Sequence, residues 1–149
     1  LMQEHPVDVI YTSSLKRTKE TAQLAFPDRQ VQPIADFDER GFGQWEGLTA
    51  DEIQAAFPEV WQAWLEAPFE VTPPEAEVFS DFQTRVWAAT DRLLDTTEES
   101  IALVAHLGVL RLIYQHLVDR EAVFWNIDVP QGRVLLLEER DQTWQATLL

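Results

Sequence analysis

The segment DVIYTSSLKRTKETAQ, residues 8–23, joins the two patterns that decide the fold. It begins with a short β-branched run typical of a strand, and this run ends in hydroxyl residues that predict a helix cap. The overlapping stretch SLKRTKETAQLAF, residues 14–26, is typical of a helix that ends at Pro27. An arginine, Arg17, falls in the first turn of that helix. A strand that leads directly into a helix is a unit of α/β domains.

The same succession of patterns recurs later in the chain. SIALVAH, residues 100–106, is a continuous apolar run of the kind buried on both faces of a parallel sheet. It leads through Leu107 and Gly108 into the helical pattern VLRLIYQHLV, residues 109–118. The last stretch, residues 132–149, predicts a hairpin that closes the sheet. We therefore predict an α/β layered fold and a single domain over residues 1–149.

Cap signals mark two further helices between these strands. Thr49 and Glu52 form a capping box that opens a helix, which Pro58 interrupts. Ser80 and Gln83 form a second box. The helix predicted after that second box carries an apolar stripe of Phe82, Val86, Ala89 and Leu93.

Charge and residue content exclude several classes of protein. The formal net charge of −15 argues against general nucleic-acid binding. The chain has no cysteine and three histidines, so we predict no disulfide, metal or other cofactor. No apolar run reaches the ~20 residues that span a bilayer. Charged residues and Pro6 interrupt any signal-peptide core near the start. These features predict no membrane partner and are compatible with the cytoplasm.

The acidic residues are unevenly spread, because the chain has no Lys or Arg between Arg40 and Arg85. This region is either a solvated acidic face or, if it overhangs a site, a surface that repels highly anionic ligands. Its acidic residues are Glu46, Asp51, Glu52, Glu59, Glu66, Glu70, Glu75, Glu77 and Asp81.

Two strand-to-helix junctions carry polar residues where ligands bind in α/β sheets. Arg17 follows the first strand and His106 follows the later one. The carboxyl edge of a parallel sheet is the usual ligand site, and helix N-termini there favour phosphate. A guanidinium adds a fork that matches two phosphate oxygens. The arrangement predicts a phosphoryl site, although an arginine in a first turn is often an ordinary surface residue.

Longer motifs make the interpretation specific. Residues 11–23, YTSSLKRTKETAQ, resemble the YSSxLxRAxxTA element of the histidine phosphatase superfamily, also called the phosphoglycerate mutase-like family. Residues 37–53, FDERGFGQWEGLTADEI, resemble its LxExxFGxWEGLTxxEI element, and residues 104–113, VAHLGVLRLI, resemble VxHGGVIRxL. Residues 73–86 stand where the family has PPGGESxxDFxxRV, and residues 124–139 are similar to its closing strand region. The motifs come in family order, and the pattern is most similar to α-ribazole and small broad-specificity phosphatases.

The resemblance implies a three-layer α/β/α sheet with helices on both faces. It also implies phosphomonoester hydrolysis through a phosphohistidine, with a small phosphorylated metabolite as substrate. By position in the motifs, Arg17 clamps the phosphoryl group, Glu39 acts as general acid, and His106 donates to phosphoryl oxygens. Leu107 and Gly108 fall in the substrate-binding turn. The alternatives are an ordinary loop carboxylate for Glu39 and a core imidazole for His106.

Two further arginines and two further histidines have structural or functional interpretations. Arg40 and Arg111 either add positive potential or are structural. His5 precedes Pro6 upstream of the first strand and is expected to be flexible and exposed. His116, near a helix end, is expected to interact with the helix dipole.

The sequence also departs from the family pattern. The nucleophilic histidine of the family lies in an RHG motif on its first strand, and RHG does not occur in these 149 residues. We expect that strand, normally flanked by the strands of DVIYTS and IALVAH, to be missing from this chain. Its loss predicts unpaired ladder groups or a rearranged sheet. Leu107 replaces a small residue, and its side chain could crowd a bound phosphate.

Several functions stay open at this point. The leading hypothesis is a histidine-type phosphatase whose attacking histidine lies outside this chain. The alternatives are a non-catalytic domain that binds phosphorylated ligands or partners, and a phosphoglycerate mutase. Exposed strand edges make a homodimer a further hypothesis.

Overall fold

The computed structural model describes residues 6–149, which fall into two compact units. The first unit combines the described residues up to Glu39 with Val86–Leu149, and the second is Arg40–Arg85. His5, predicted to be exposed, lies outside the described residues. The helices are α1 Lys16–Ala25, α2 Ala50–Ala56, α3 Pro58–Glu66, α4 Phe79–Leu94 and α5 Leu107–Leu117. The strands are β1 Val9–Thr12, β2 Val31–Pro33, β3 Ile101–Val104, β4 Leu135–Arg140 and β5 Thr143–Leu148.

A parallel sheet of order β2-β1-β3 organises the first unit. β1 lies in the centre and pairs in parallel with both neighbours. The register with β3 runs from Val9 opposite Ile101 to Thr12 opposite Val104. Because both connections are parallel, the carboxyl ends of the strands meet at one edge of the sheet. Polar residues that follow β1 and β3 are therefore brought together.

Helix α1 packs against β1 through a face of small side chains. Ala22 and Ile10 are fully buried, and Phe26 closes the same cluster at the end of the helix. Fixing this helix against the central strand sets the direction of its first turn, which carries Arg17. The cluster is lined by half-buried side chains of Val7, Val31, Ala102 and Val104.

Helices α4 and α5 are joined inside the first unit. Val86 and Ala89 are buried, as the predicted apolar stripe indicates, whereas Leu93 of that stripe is half-buried. Leu112 of α5 is buried as well. The Trp87 indole N–H donates to the backbone oxygen of Leu112 at 2.9 Å. The unit is a parallel sheet flanked by helices, and the predicted α/β class is confirmed.

β1 and β3 pair directly, so the strand expected to be missing from this chain leaves no gap between them. The sheet differs from the prediction at the hairpin. The hairpin β4–β5 is present, but within residues 6–149 it forms its own two-stranded sheet and does not extend the parallel one. All four residues of β3 are half-buried, whereas the apolar run predicted complete burial. An apolar run indicates that a strand is covered, but it carries no information on which strand lies beside it.

The cap predictions had mixed outcomes. Thr49 and Glu52 form both bonds of the predicted capping box, at 3.2 and 3.1 Å. Pro58 opens α3 directly after α2, where its missing N–H leaves no helical bond unmade. Helix α4 begins at Phe79, so Ser80 lies inside the helix and the predicted box there is wrong. The Ser80 carbonyl instead accepts the Thr84 hydroxyl at 2.8 Å.

The second unit is built around aromatic rings. Trp45 lies 5.7 Å from Trp61 and 5.7 Å from Trp64, ring centre to ring centre. Gly43 has a φ of 55°, and a side chain there would collide with the backbone of residues 74–76. These observations explain Gly43 and Trp45 of the FGQWEG stretch, residues 42–47, as packing residues. No helix within residues 6–149 is long and apolar enough to cross a bilayer.

Candidate functional site

The loops after β1 and β3 bring His106 against the first turn of α1. The Ser13 N–H donates to the Val104 oxygen at 3.2 Å, which extends the strand pairing into the loops. His106 then stands at the N-cap of α5. Its Nε2 is 2.9 Å from Ser13 Oγ, and its Nδ1 is 3.4 Å from Nη2 of Arg17. The two polar residues predicted at the strand ends are thus neighbours.

The hydroxyls between β1 and α1 do not cap the helix as predicted. The N-cap of α1 is Leu15, and no side chain makes a cap hydrogen bond there. Ser13 Oγ instead lies 2.8 Å from Oγ1 of Thr18, and the Thr18 hydroxyl donates to the Leu15 oxygen at 2.9 Å. Ser13 and Thr18 are almost completely buried, at 0 and 3% exposure. These hydroxyls link the strand end, the helix and the imidazole.

Asp38 links the segment after β2 to the loop between β1 and α1. Its carboxylate accepts the Ser14 N–H at 2.7 Å and the Ser14 hydroxyl at 2.6 Å. A short helical turn, Ala35–Phe37, precedes it, and the Phe37 ring is fully buried. A carboxylate that receives two hydrogen bonds from one residue has little freedom to move. The following residue, Glu39, is thereby held beside the first turn of α1.

Glu39 turns its carboxylate to the N-terminus of α5. Its Oε2 accepts the Gly108 N–H at 3.1 Å. A negative charge is favoured there by the helix dipole and by the unpaired amides of the first turn. A β-carbon on Gly108 would collide with Oε1 of Glu39, so this close approach requires glycine. Leu107, the other residue predicted in this turn, begins α5 and is half-buried.

The surroundings of His106 favour its neutral form. Burial lowers the pKa of His106 below its usual value of 6.5, because a charged ring loses hydration there. The Glu39 carboxylate opposes this shift, Arg17 reinforces it, and Asp38 opposes it. An imidazole beside a guanidinium and close to a carboxylate can exchange a proton, and it can bind an oxyanion once it is protonated.

Arg111 and Arg40, the two other arginines with alternative predicted roles, make structural contacts. Arg111 donates from Nε to the Ile127 oxygen at 2.7 Å and lies 5.3 Å from the centre of the Phe124 ring. In the second unit, Arg40 donates from Nε to the Glu77 oxygen at 3.0 Å. Burial lowers the pKa of Arg40, which Glu77 counteracts. Each guanidinium fastens a backbone segment of its own unit.

Two residues of this site, Thr18 and Asp38, are not predicted by the sequence. Ser13 is expected beside Arg17 at the strand end, but its contact with His106 is not. A signal was present for Ser13, since polar residues directly after a buried parallel strand lie at the ligand edge. Thr18 and Asp38 carry no such signal, because their roles depend on which loops meet. No cluster of possible metal ligands occurs in the part of the chain that the structure describes.

Comparison with known proteins places this geometry in a family. The model of the histidine phosphatase superfamily (branch 1) matches residues 1–149. The chain belongs to this superfamily.

Similar proteins carry phosphatase names. The adenosylcobalamin/α-ribazole phosphatase of Escherichia coli K12 is 33% identical over 84% of this chain, which spans 64% of that relative. The phosphoserine phosphatase 1 of Hydrogenobacter thermophilus is 28% identical over 94% of this chain and 69% of its own length. The solved α-ribazole phosphatase of Shigella flexneri superimposes with a TM-score of 0.89 at 27% identity, over 99% of this chain and 75% of that one. The phosphoglycerate mutase-like fold predicted from the motifs is therefore confirmed.

Proposed function

We propose that this chain provides the phosphoryl-binding and proton-donating part of a phosphomonoester hydrolase. The observation that supports it is the meeting of Arg17, His106 and Glu39 at one sheet edge, joined by contacts of 3.4 Å from Arg17 to His106 and 3.1 Å from Glu39 to Gly108. These three groups supply the charge complementarity and the acid that phosphoryl transfer needs.

Each group has a separate task in this proposal. Arg17 holds two oxygens of the phosphoryl group through its planar fork. His106 faces a third oxygen with Nδ1. Glu39 protonates the leaving oxygen as general acid, and the N–H of Gly108 keeps its carboxyl oriented. Leu107 borders the phosphoryl group at the first residue of α5.

The attacking group is proposed to be a histidine outside these 149 residues, which contain no Arg-His-Gly motif. Nucleophilic attack by its ring nitrogen on phosphorus breaks the ester bond and leaves a phosphohistidine, which water then hydrolyses. His106 is not proposed as the nucleophile, because Ser13 and Arg17 already contact its two ring nitrogens.

The proposed substrate is a small phosphorylated metabolite, and α-ribazole phosphate is the first candidate. The names of the E. coli and S. flexneri relatives support this choice. Phosphoserine is the second, after the H. thermophilus relative. The formal net charge of −15 disfavours substrates with several phosphates. We also propose that neither nucleic acid nor a membrane is a partner.

The test is turnover of p-nitrophenyl phosphate, α-ribazole phosphate and phosphoserine. It is run with the 149-residue chain and with the product of its complete reading frame. We expect hydrolysis by the complete product, loss of hydrolysis in its His106→Ala variant, and an acid-labile phosphate on a histidine by mass spectrometry. Phosphate binding without turnover in the complete product would contradict hydrolysis and support a non-catalytic binding domain. Isomerisation of a phosphoglycerate without phosphate release would instead indicate a mutase.

A further inference from the structure

The hydrogen bonds of the His106 ring decide which nitrogen carries its hydrogen. Nη2 of Arg17 lies 3.4 Å from Nδ1 of His106. A guanidinium has donors and no acceptor, so Nδ1 has to accept in this contact. A neutral imidazole that accepts at Nδ1 carries its hydrogen on Nε2. Arg17 therefore selects one tautomer of His106.

The Ser13 hydroxyl completes this selection from the other side of the ring. Ser13 Oγ lies 2.9 Å from Nε2 and also receives the Leu15 N–H at 3.3 Å. Its own hydrogen then points to Thr18 Oγ1, 2.8 Å away, and the Thr18 hydroxyl donates to the Leu15 oxygen at 2.9 Å. Ser13 thus uses both acceptor positions and its one donor.

If the hydrogen bonds among Thr18, Ser13 and His106 all ran in the opposite direction, two donors would face each other. If Ser13 donated to Nε2, the ring hydrogen would sit on Nδ1 and point at the N–H of Arg17. His106 is 8% exposed, so a hydrogen on Nδ1 that faces the Arg17 donor has little access to water. An unpaired buried polar group costs about 1–3 kcal/mol, which is enough to fix the direction.

Neutral His106 in this form has no hydrogen to offer a ligand. The Nε2–H is used by Ser13, and Nδ1 presents a lone pair. A phosphoryl oxygen also presents lone pairs, so the two repel until Nδ1 gains a proton. Charged groups on the neighbouring segments act on the ring as well: Arg17 on α1, and Asp38 and Glu39 after the Ala35–Phe37 turn.

We propose that Ser13 and Thr18 are positioning residues that hold His106 in its Nε2–H form, so that a phosphoryl oxygen binds at Nδ1 only with uptake of one proton from solvent. The ligand class rests on the proposed function, whereas the tautomer rests on the contacts alone. Burial lowers the pKa of His106, which favours the neutral ring before the ligand arrives.

The tautomer is measured without any ligand. Two-bond ¹H–¹⁵N NMR spectra at pH 8 distinguish a ring hydrogen on Nε2 from one on Nδ1. We expect Nε2–H for His106 in the wild type, a mixture of forms in Ser13→Ala and Thr18→Val, and recovery of Nε2–H in Thr18→Ser. The matched control is Thr90→Val, which removes a hydroxyl of 2% exposure that donates to the Val86 oxygen at 2.7 Å. It should leave the His106 signals unchanged.

The proton uptake is measured with inorganic sulfate, which does not titrate between pH 7 and 8.5. Uptake of one proton makes sulfate affinity fall about tenfold per pH unit above the pKa of free His106. We expect this slope in the wild type and in Thr90→Val, and a shallower slope in Ser13→Ala, whose ring can place its hydrogen on Nδ1. Calorimetry in two buffers of different ionisation enthalpy counts the proton directly.

Each result decides a separate part of the proposal. Nδ1–H in the wild type, or equal spectra for Ser13→Ala and Thr90→Val, would overturn the tautomer assignment. Sulfate binding with no pH slope between pH 7 and 8.5 would overturn the coupling. No sulfate binding in the wild type would overturn the coupling together with the proposed phosphoryl site, while the spectra still decide the tautomer. If Ser13→Ala fails to fold, Thr18→Val and Thr18→Ser carry the test.

Discussion

His106 and His116 lie at the two ends of α5 and make parallel sets of contacts. Each Nδ1 faces an arginine Nη2, from Arg17 at 3.4 Å in one case and from Arg120 at 3.0 Å in the other. The difference is at Nε2, where His106 meets the buried hydroxyl of Ser13 at 2.9 Å and His116 meets a carboxylate of Asp91 at 2.7 Å.

This difference distinguishes His106, at the candidate site, from His116, which makes structural contacts between two helices. Asp91 is 65% exposed and fastens α4 to α5 through His116, whose ring also stacks on Trp87 at 4.8 Å. Those contacts occupy both ring nitrogens of His116 and one of its faces. His106 has a longer arginine contact at Nδ1, 3.4 Å against 3.0 Å for His116, and it stands at the amino end of the helix, where anions are favoured. Similar hydrogen-bond patterns thus have different roles, because the two histidines have different partners at Nε2 and lie at opposite termini of α5.

The largest expected effect tests this contrast directly. Turnover of p-nitrophenyl phosphate by the complete product should fall at least ~100-fold in His106→Asn, because a donor aimed at the transferring group is lost. His116→Asn should keep turnover within about twofold. Both variants are measured as kcat and KM beside thermal unfolding. Equal losses in the two variants, once unfolding is accounted for, would remove the distinction between the two histidines.

Gly108→Ala is expected to have the next largest effect. Its β-carbon would collide with the Glu39 carboxylate, so that carboxylate has to leave the helix terminus. We expect turnover to fall about tenfold from the loss of an oriented acid.

A second measurement makes the Gly108→Ala change in a Glu39→Ala variant and determines the free energy of unfolding with a chemical denaturant. Without the Glu39 carboxylate, the same Gly108→Ala change should raise the free energy of unfolding by up to ~1 kcal/mol, since alanine favours a helix over glycine. If Gly108→Ala is equally tolerated with and without the Glu39 carboxylate, the close approach does not matter. The turn at His116 has no comparable glycine, because the helix from Leu107 to Leu117 contains only Gly108.

The sequence predicted the parts of this site that depend on local pattern. Arg17 and His106 follow strands, and a strand-to-helix junction in a parallel sheet directs such residues to one edge. The order of the strands was out of reach, because an apolar run such as residues 100–104 fits any covered position. The roles of Thr18 and Asp38 were also out of reach, since they arise only when the loops after β1 and β2 meet. Short-range patterns therefore predicted that Arg17 and His106 meet at the candidate site, and tertiary contacts with Thr18 and Asp38 could not be predicted from them.

Asp38→Ala tests the contact between the loops after β1 and β2. We expect a loss of about 2 kcal/mol in the free energy of unfolding. The carboxylate accepts two hydrogen bonds from Ser14, and bonds to charged groups are among the stronger ones. Asp36→Ala is the control, because its 2.7 Å pair with Arg92 is exposed, at 46 and 63%, and contributes at most ~1 kcal/mol. Urea unfolding of both variants gives the comparison. A larger loss in Asp36→Ala would show that Asp38 does not anchor the segment leading to Glu39.

His116→Gln should have a smaller effect, about 1 kcal/mol in the free energy of unfolding. The change removes the contact with Asp91 and the stack on Trp87, which are partly open to solvent. Asp91→Asn keeps the stack and should cost less. The pair of variants, measured by urea unfolding, separates the ring contact from the hydrogen bond. A cost for Asp91→Asn equal to that of His116→Gln would assign the whole joint to the hydrogen bond.

The smallest expected effect is a pH dependence that belongs to His106. Because burial lowers its pKa in the folded protein, the unfolded chain binds the proton first as pH falls below 6.5. The free energy of unfolding therefore contains a part that is fully present above pH 6.5 and is lost as pH falls through the folded pKa. The difference in unfolding free energy between the wild type and His106→Gln, measured from pH 8 to pH 5, should shrink toward acid. A difference that grows toward acid would mean that the carboxylates of Glu39 and Asp38 outweigh burial, and that the ring is already charged when a phosphoryl group arrives.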